Sequence, residues 1–286
     1  MRLRNKMKKL LLVCCAVALL SLSGIAGTVT TLYANNATSG APYIYQINAT
    51  TGAVLNTYTN LQGINGRGVV DVGNTLYYTV AQDGNVYKYD LSTQTQLGVA
   101  FNVAGASGLS SMTYDGTNFW IGDYSGTNKA YQYSPTGTLL KTVTLINCGG
   151  NCDGLTYFKQ GGVGYLLSNR FDGGFGGPNA YDVYDTNGNL VTAALFTSTS
   201  AYSTGVAWDG SNFWTSNLYS PSITEWSMSG VQGVTNSLTG WSQSPLIEGM
   251  SFNFQQTVGT PEPGTLVMFG TGLLGLFGAA RRKFHI

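Results

Sequence analysis

Five copies of one short element recur along the chain: Gly68-Val-Val-Asp71, Ser111-Met-Thr-Tyr-Asp115, Gly154-Leu-Thr-Tyr-Phe158, Gly205-Val-Ala-Trp-Asp209 and Gly249-Met-Ser-Phe-Asn253. They are separated by 43, 43, 51 and 44 residues. A period of this length marks an architecture in which each repeat is one supersecondary unit that buries its apolar face only by stacking on its neighbours. Two copies continue almost identically, as Asp115-Gly-Thr-Asn-Phe-Trp120 and Asp209-Gly-Ser-Asn-Phe-Trp214. Asp-Gly between two alternating runs is a tight-hairpin signal.

Three further strands follow each copy. The second is expected at Thr75–Val80, Asn118–Gly122, Tyr165–Asn169 and Phe213–Asn217, and the third at Val86–Asp90, Ala130–Tyr133, Ala180–Asp185 and Ile223–Ser227. The period-two alternation of Tyr87-Lys-Tyr89 and Tyr131-Gln-Tyr133 fits half-buried strands. A turn such as Ser134-Pro-Thr-Gly137 leads to an apolar fourth strand, Thr138 to Leu145 in the clearest case.

The ends of the array fit together. Thr31-Leu-Tyr-Ala-Asn35, Tyr43-Ile-Tyr-Gln-Ile47 and Ala53–Tyr58 read as second, third and fourth strands with no first, while Gly249–Phe254 is a first strand with nothing after it. Joined, they complete one unit, which is how a β-propeller closes its ring. The expected fold is therefore all-β: a five-bladed β-propeller of four-stranded blades, with N- and C-terminal strands sharing one blade. A six-bladed ring with one degenerate blade and a β-solenoid are the alternatives, and a solenoid does not need the split unit. The period and strand order loosely resemble the NHL and gluconolactonase-like propeller families.

The two ends of the chain are of another kind. Arg2, Arg4, Lys6, Lys8 and Lys9 precede the apolar run Leu10–Leu20 and the small residues Ser21–Gly27. This is the layout of a secretory signal peptide, expected at residues 1–26 and read by the Sec export machinery. Bulky residues before Cys14 and Cys15 argue against a lipoprotein. At the other end Pro261, Glu262 and Pro263 precede the apolar run Thr265–Ala280 and then Arg281, Arg282 and Lys283. Sixteen residues at 1.5 Å rise give roughly 24 Å of helix, enough to span a thinned bilayer with its cationic end in the cytoplasm. This order of parts resembles the PEP-CTERM sorting tail. The resemblance implies an exported Gram-negative protein held in the inner membrane by a transmembrane helix, then processed by an exosortase-type enzyme and passed to the surface or to an extracellular polysaccharide matrix or biofilm. The expected division is signal peptide 1–26, propeller 27–257 and sorting tail 258–286.

Removing those ends changes the charge. Five of the 14 basic residues lie in the signal and three in the tail, leaving six against twelve acidic residues and a net charge near −6. Such a domain is a poor partner for nucleic acid. Its lone histidine, His285, sits in the tail, so the exported part has none. That excludes Ser-His-Asp and Cys-His catalysis and histidine metal sites there, and the reading leans away from an enzyme. Cys148 and Cys152 meet an oxidising compartment and are expected to form a disulfide that staples a loop.

Antiparallel order also sorts the loops. Asp115, Gly116, Asp209 and Gly210 serve turn chemistry on one face. The other face collects Arg67, Ser110, Asp153, Thr204 and Glu248 from just before the inner strands. The ends of the second strands add Asn35, Asn36, Gln82, Asp83, Asp123, Asn169, Arg170, Asp172 and Asn217. The glycine-rich stretch from Arg170 to Pro178 overhangs them. This is the candidate binding face for a polysaccharide or envelope protein, with Phe171, Phe175, Tyr124 and Tyr219 as candidates to stack on sugar rings. One reading makes Arg67 a partner of Asp153 or Glu248. Another makes Glu248 and Asp153, with Asn169 and Asn217, an oxygen site for Ca²⁺, as the partial resemblance of Glu248-Gly249 to the gluconolactonase-like propellers implies. That reading would make the protein a metal-dependent hydrolase or lactonase.

Overall fold

The computed structural model describes residues 31–106, 108–149, 152–170, 178–240 and 246–252. They hold twenty strands in five four-stranded antiparallel sheets. The first blade contains β1 (Thr31–Asn36), β2 (Ile44–Asn48) and β3 (Val54–Tyr58). The next is β4 (Gly66–Val72), β5 (Thr75–Val80), β6 (Asn85–Asp90) and β7 (Thr95–Asn102). The third is β8 (Leu109–Tyr114), β9 (Phe119–Asp123), β10 (Lys129–Tyr133) and β11 (Leu139–Thr144). The fourth is β12 (Leu155–Gln160), β13 (Val163–Arg170), β14 (Pro178–Asp185) and the long β15 (Leu190–Ala201). The fifth is β16 (Val206–Trp208), β17 (Phe213–Ser216), β18 (Ser222–Trp226) and β19 (Gln232–Ser237). The last strand, β20 (Ile247–Phe252), returns to the first blade and pairs with β1, Leu32 opposite Phe252 and Asn35 opposite Gly249.

The inner strands follow one another around the ring in the order β20, β4, β8, β12, β16 and back to β20. This closure selects five blades over six and over a solenoid. Five apolar clusters fill the five gaps between blades. Leu32, Ile47, Trp214 and Phe252 lie between the fifth and first blades, and Tyr33, Val69, Leu76 and Tyr78 between the first and second. Burial falls from the centre outward: β20 is buried throughout, while β11 and β19 are largely exposed.

The repeated Asp-Gly motif is a self-contained hairpin. One oxygen of Asp209 accepts the N–H groups of Ser211 and Asn212, both at 2.7 Å, and the other accepts the Trp214 indole N–H at 2.8 Å. Asp115 makes the same bonds to Thr117, Asn118 and Trp120. A short side-chain acceptor thus sets the turn and fixes the orientation of the tryptophan packed behind it.

Candidate functional site

The starts of the inner strands form the narrow end of the channel, and glycine makes that narrowness possible. A Cβ added at Gly68, Gly154, Gly205 or Gly249 would lie under 3.0 Å from a backbone carbonyl oxygen of the next blade, that of Ser110, Thr204, Glu248 or Arg67 respectively. At the fifth seam Ser111 replaces glycine, and its N–H donates to the Asp153 carbonyl at 3.2 Å. Hydroxyls from the second strands reinforce the seal. Thr79 Oγ1 accepts the Gly68 N–H at 2.7 Å and donates to the Ser110 carbonyl at 2.6 Å. Ser216 does the same between Gly205 and Ile247, at 3.1 Å each.

The side chains before those glycines are drawn inside. Arg67, Asp153 and Glu248 are 7%, 2% and 3% exposed, with Ser110 and Thr204 beside them. Arg67 Nη1 lies 2.5 Å from Glu248 Oε1, and its guanidinium stacks 4.7 Å from the Tyr124 ring centroid. Burial works against the arginine's charge, but Glu248 and then Asp153 outweigh it and hold the group above its ordinary value. Burial, reinforced by Glu248 and opposed by Arg67, pushes the Asp153 carboxyl up to about 7.

Both Asp153 oxygens, Glu248 Oε2, Arg67 Nε, Asn169 Nδ2 and Thr204 Oγ1 are buried without a hydrogen-bond partner among the described residues. A polar interior of this kind takes ordered water. As a Ca²⁺ site the set fits poorly. The cation facing the carboxylates is Arg67, and among the described residues no three His, Cys, Asp or Glu side chains gather to hold a metal. Asn169 Oδ1 is engaged by the Gly154 N–H, and Asn217 Oδ1 by the N–H groups of Tyr219 and Ser220. Ca²⁺ needs six to eight oxygens.

The outer part of the same face is built from closed local networks. Asp123 accepts bonds from Ser125, Thr127 and Tyr131. Asp83 accepts the Asn85 N–H and the Tyr87 hydroxyl. Arg170 forms a two-pronged pair with the buried Asp182, Nε to Oδ2 at 3.0 Å and Nη2 to Oδ1 at 2.7 Å. Asp182 also receives Ala194 N–H and Asn147 Nδ2, which ties the long β15 and the disulfide loop to the blade. Cys148 and Cys152 are bonded and fully buried. Tyr219 is 60% exposed and packs edge-on to Tyr202. Asp172, Phe171, Phe175 and the sorting residues Pro261, Glu262, Pro263, Arg281, Arg282 and Lys283 lie outside the described residues.

At the opposite mouth of the channel, where the inner strands end, is a cavity of about 370 Å³. The fourth residue of each inner-strand motif lines it: Tyr114, Tyr157, Trp208 and Phe252, with Asp71 in the one remaining copy. Sequence reasoning treated this face as turn chemistry and missed the cavity. Its signal was present in the aligned repeats, where four copies carry an aromatic and the fifth an aspartate.

Closed ring, split blade and radial burial define the class: this is a five-bladed β-propeller. It is similar to a chain in the crystal structure of the nidogen/laminin complex, with a TM-score of 0.55 and 11% identity over 79% of this chain and 99% of that one. At that identity the likeness shows the fold alone. Two computationally designed proteins, Ika4 and Ika8, are similar at TM-scores of 0.38 and 0.41 and identities of 15% and 12%, over 63% and 78% of this chain and 95% and 75% of theirs. Scores that low carry no argument. No curated protein matches the chain. Residues 260–283 match the PEP-CTERM protein-sorting motif. The chain is therefore an exported propeller, held transiently at the membrane by its C-terminus and processed by an exosortase.

Proposed function

We propose that this propeller is delivered to the cell surface or extracellular matrix and works there as a non-catalytic binding or scaffold protein in extracellular polysaccharide or biofilm. The observation that carries the reading is the sorting motif at 260–283 attached to a closed ring whose exported sequence has no histidine. With no imidazole, the commonest general base is missing. Of the acids on that face, Asp83 and Asp123 are engaged in local turns and Glu248 in an ion pair with Arg67, which is what a rigid scaffold requires.

The test follows the chain in a host with and without its exosortase. The intact host should release a shortened form that co-purifies with matrix polysaccharide or an envelope protein. The exosortase-null host, or Glu262→Ala, should leave the full-length form in the inner membrane. A mature form retained by neither matrix nor envelope would end this proposal.

The second reading is the Ca²⁺-dependent hydrolase. What favours it is the set of partnerless oxygens on Asp153 and Glu248. It requires Ca²⁺ to raise the melting temperature of the wild type but not of Glu248→Ala, because a ligand of the native state stabilises by mass action. Identical melts in EDTA, Ca²⁺ and Mg²⁺ would remove it.

A further inference from the structure

The cavity at the wide mouth combines features that point to one ligand chemistry. Four aromatics line it, because Tyr114, Tyr157, Trp208 and Phe252 occupy the same position in four successive blades; Trp208 and Phe252 are buried in the packing between blades, while Tyr114 and Tyr157 are half-buried and leave ring surface open. The fifth position is Asp71, only 6% exposed, whose Oδ1 has no hydrogen-bond partner among the described residues. Ser251, in the neighbouring blade and also 6% exposed, brings a partnerless Oγ to the same cavity.

These groups differ from the acids that build the turns. Asp115 borders the same cavity, yet its two oxygens are filled by Thr117, Asn118, Trp120 and Gln132. Asp71 takes one backbone hydrogen bond from Asn74 and keeps Oδ1 open. A buried acceptor left unpaired is costly, and native structures keep one where a donor arrives from outside. The volume lies within the range of small-ligand sites, which pair apolar walls with a few convergent polar groups.

Charge narrows the class. Lys159 lines the same cavity and disfavours a cation, while Asp71 and the turn-bound Asp115 disfavour an anion. A neutral ligand escapes both penalties. It must offer hydroxyls to Asp71 and Ser251 and a flat C–H face to the aromatic rings.

We propose that this cavity binds one neutral pyranose residue, its hydroxyls donating to Asp71 and exchanging hydrogen bonds with Ser251 while its ring face lies against Tyr114 and Tyr157. This deepens the binding reading above and rests on it, since it supplies the sugar contact on the face opposite the one the sequence indicated. Burial holds the Asp71 carboxyl up, to about 6, and a hydroxyl donor relieves that burden where water is excluded.

The test uses the full chain in a zwitterionic detergent that carries no sugar. Neutral methyl hexopyranosides (gluco, galacto and manno) are compared with glucosamine and glucuronate by saturation-transfer NMR and tryptophan fluorescence. At least one neutral glycoside should saturate with a dissociation constant on the order of 1 mM, as expected for so small a ligand. Asp71→Asn should weaken it about tenfold, and Ser251→Ala should weaken it measurably, each with melting temperature preserved. Should Asp71→Asn fail to fold, Ser251→Ala decides alone. Absence of binding by every neutral glycoside, preference for either charged sugar, or undiminished binding in the folded variants would overturn the proposal. Retention of the Asp71→Asn and Ser251→Ala proteins by matrix at wild-type level would overturn this site while leaving the scaffold reading intact.

Discussion

Gly249→Ala tests the ring closure directly. Gly249 sits on β20, the strand that completes the first blade, and faces the start of β4. The added methyl would meet Arg67 O, Gly68 Cα and the Arg67 carbonyl carbon, all under 3.0 Å and all backbone. No side chain can rotate away, so β20 and β4 must part by roughly 1 Å to restore a normal contact distance. A gap of that size weakens dispersion along the whole seam, including the Arg67–Glu248 pair beside it. Overpacking of this kind costs about 1–3 kcal/mol, and a rigid backbone collision belongs at the upper end. For a domain of this size about 3 kcal/mol lowers the melting temperature by about 6–12 °C. The control is Gly40→Ala, where an added Cβ meets nothing within 4 Å. It reports the small gain, about 0.4–1 kcal/mol, from a stiffer unfolded chain. Thermal and urea melts of both variants in the full chain, followed by circular dichroism, give the difference. If Gly249→Ala melts within about 1 °C of Gly40→Ala, glycine does not set the packing of the seam.

Other perturbations have equally definite outcomes. Asp153 has its carboxyl raised from 3.8 to about 7, chiefly by burial. Between those values the native chain holds a proton that the unfolded chain lacks, so stability should decline as pH rises through that window and level off above it. Asp153→Asn should flatten this decline, raising the melting temperature at pH 8 and leaving it unchanged near pH 4. A melt in which the variant follows the wild-type pH profile would refute the assignment. Arg67→Met leaves the buried Glu248 carboxylate without its cation and should cost about 3–5 kcal/mol at neutral pH, read by urea unfolding. Removing the disulfide with Cys148→Ser and Cys152→Ser should cost about 2 kcal/mol for so short a loop, and reducing agent should then leave the melt unchanged. Asp209→Ala deletes the hairpin acceptor and the Trp214 indole partner together. It should cost about 2–3 kcal/mol and alter near-UV circular dichroism, since a buried indole N–H loses its acceptor.

The fold was legible because a propeller repeats its physics. The glycine that opens four of the five inner-strand motifs, the Asp-Gly hairpin of two blades and the tyrosine alternation of three third strands are local signals, and they recur at the blade period. Even closure could be read, because a blade lacking its first strand at one end and a lone first strand at the other have one economical solution. The sorting tail was legible for a similar reason: its three parts act in linear order, with no tertiary context required.

The site was legible only in part. The sequence placed Arg67, Asp153 and Glu248 together, and the structure does bring Arg67 onto Glu248. It could not say that the carbonyls of four blades would crowd so closely against glycines that this end becomes a buried seal. Nor could it show that Asp123, Asn169, Arg170 and Asn217 would each be taken up by neighbours in loops and adjoining strands. Hydrogen-bond satisfaction depends on distances between blades, and spacing along the chain does not encode them. For the same reason Asp71 looked like one more strand residue. Only the closed ring sets it beside Ser251 of the neighbouring blade and in one cavity lining with four aromatics drawn from blades far apart in sequence. The sequence by itself thus determined the repeat, its closure and the sorting motif, and it puts the lone histidine in the tail. The tertiary structure decided which end of the channel is sealed and which holds a cavity, because that depends on how five inner strands converge around one axis.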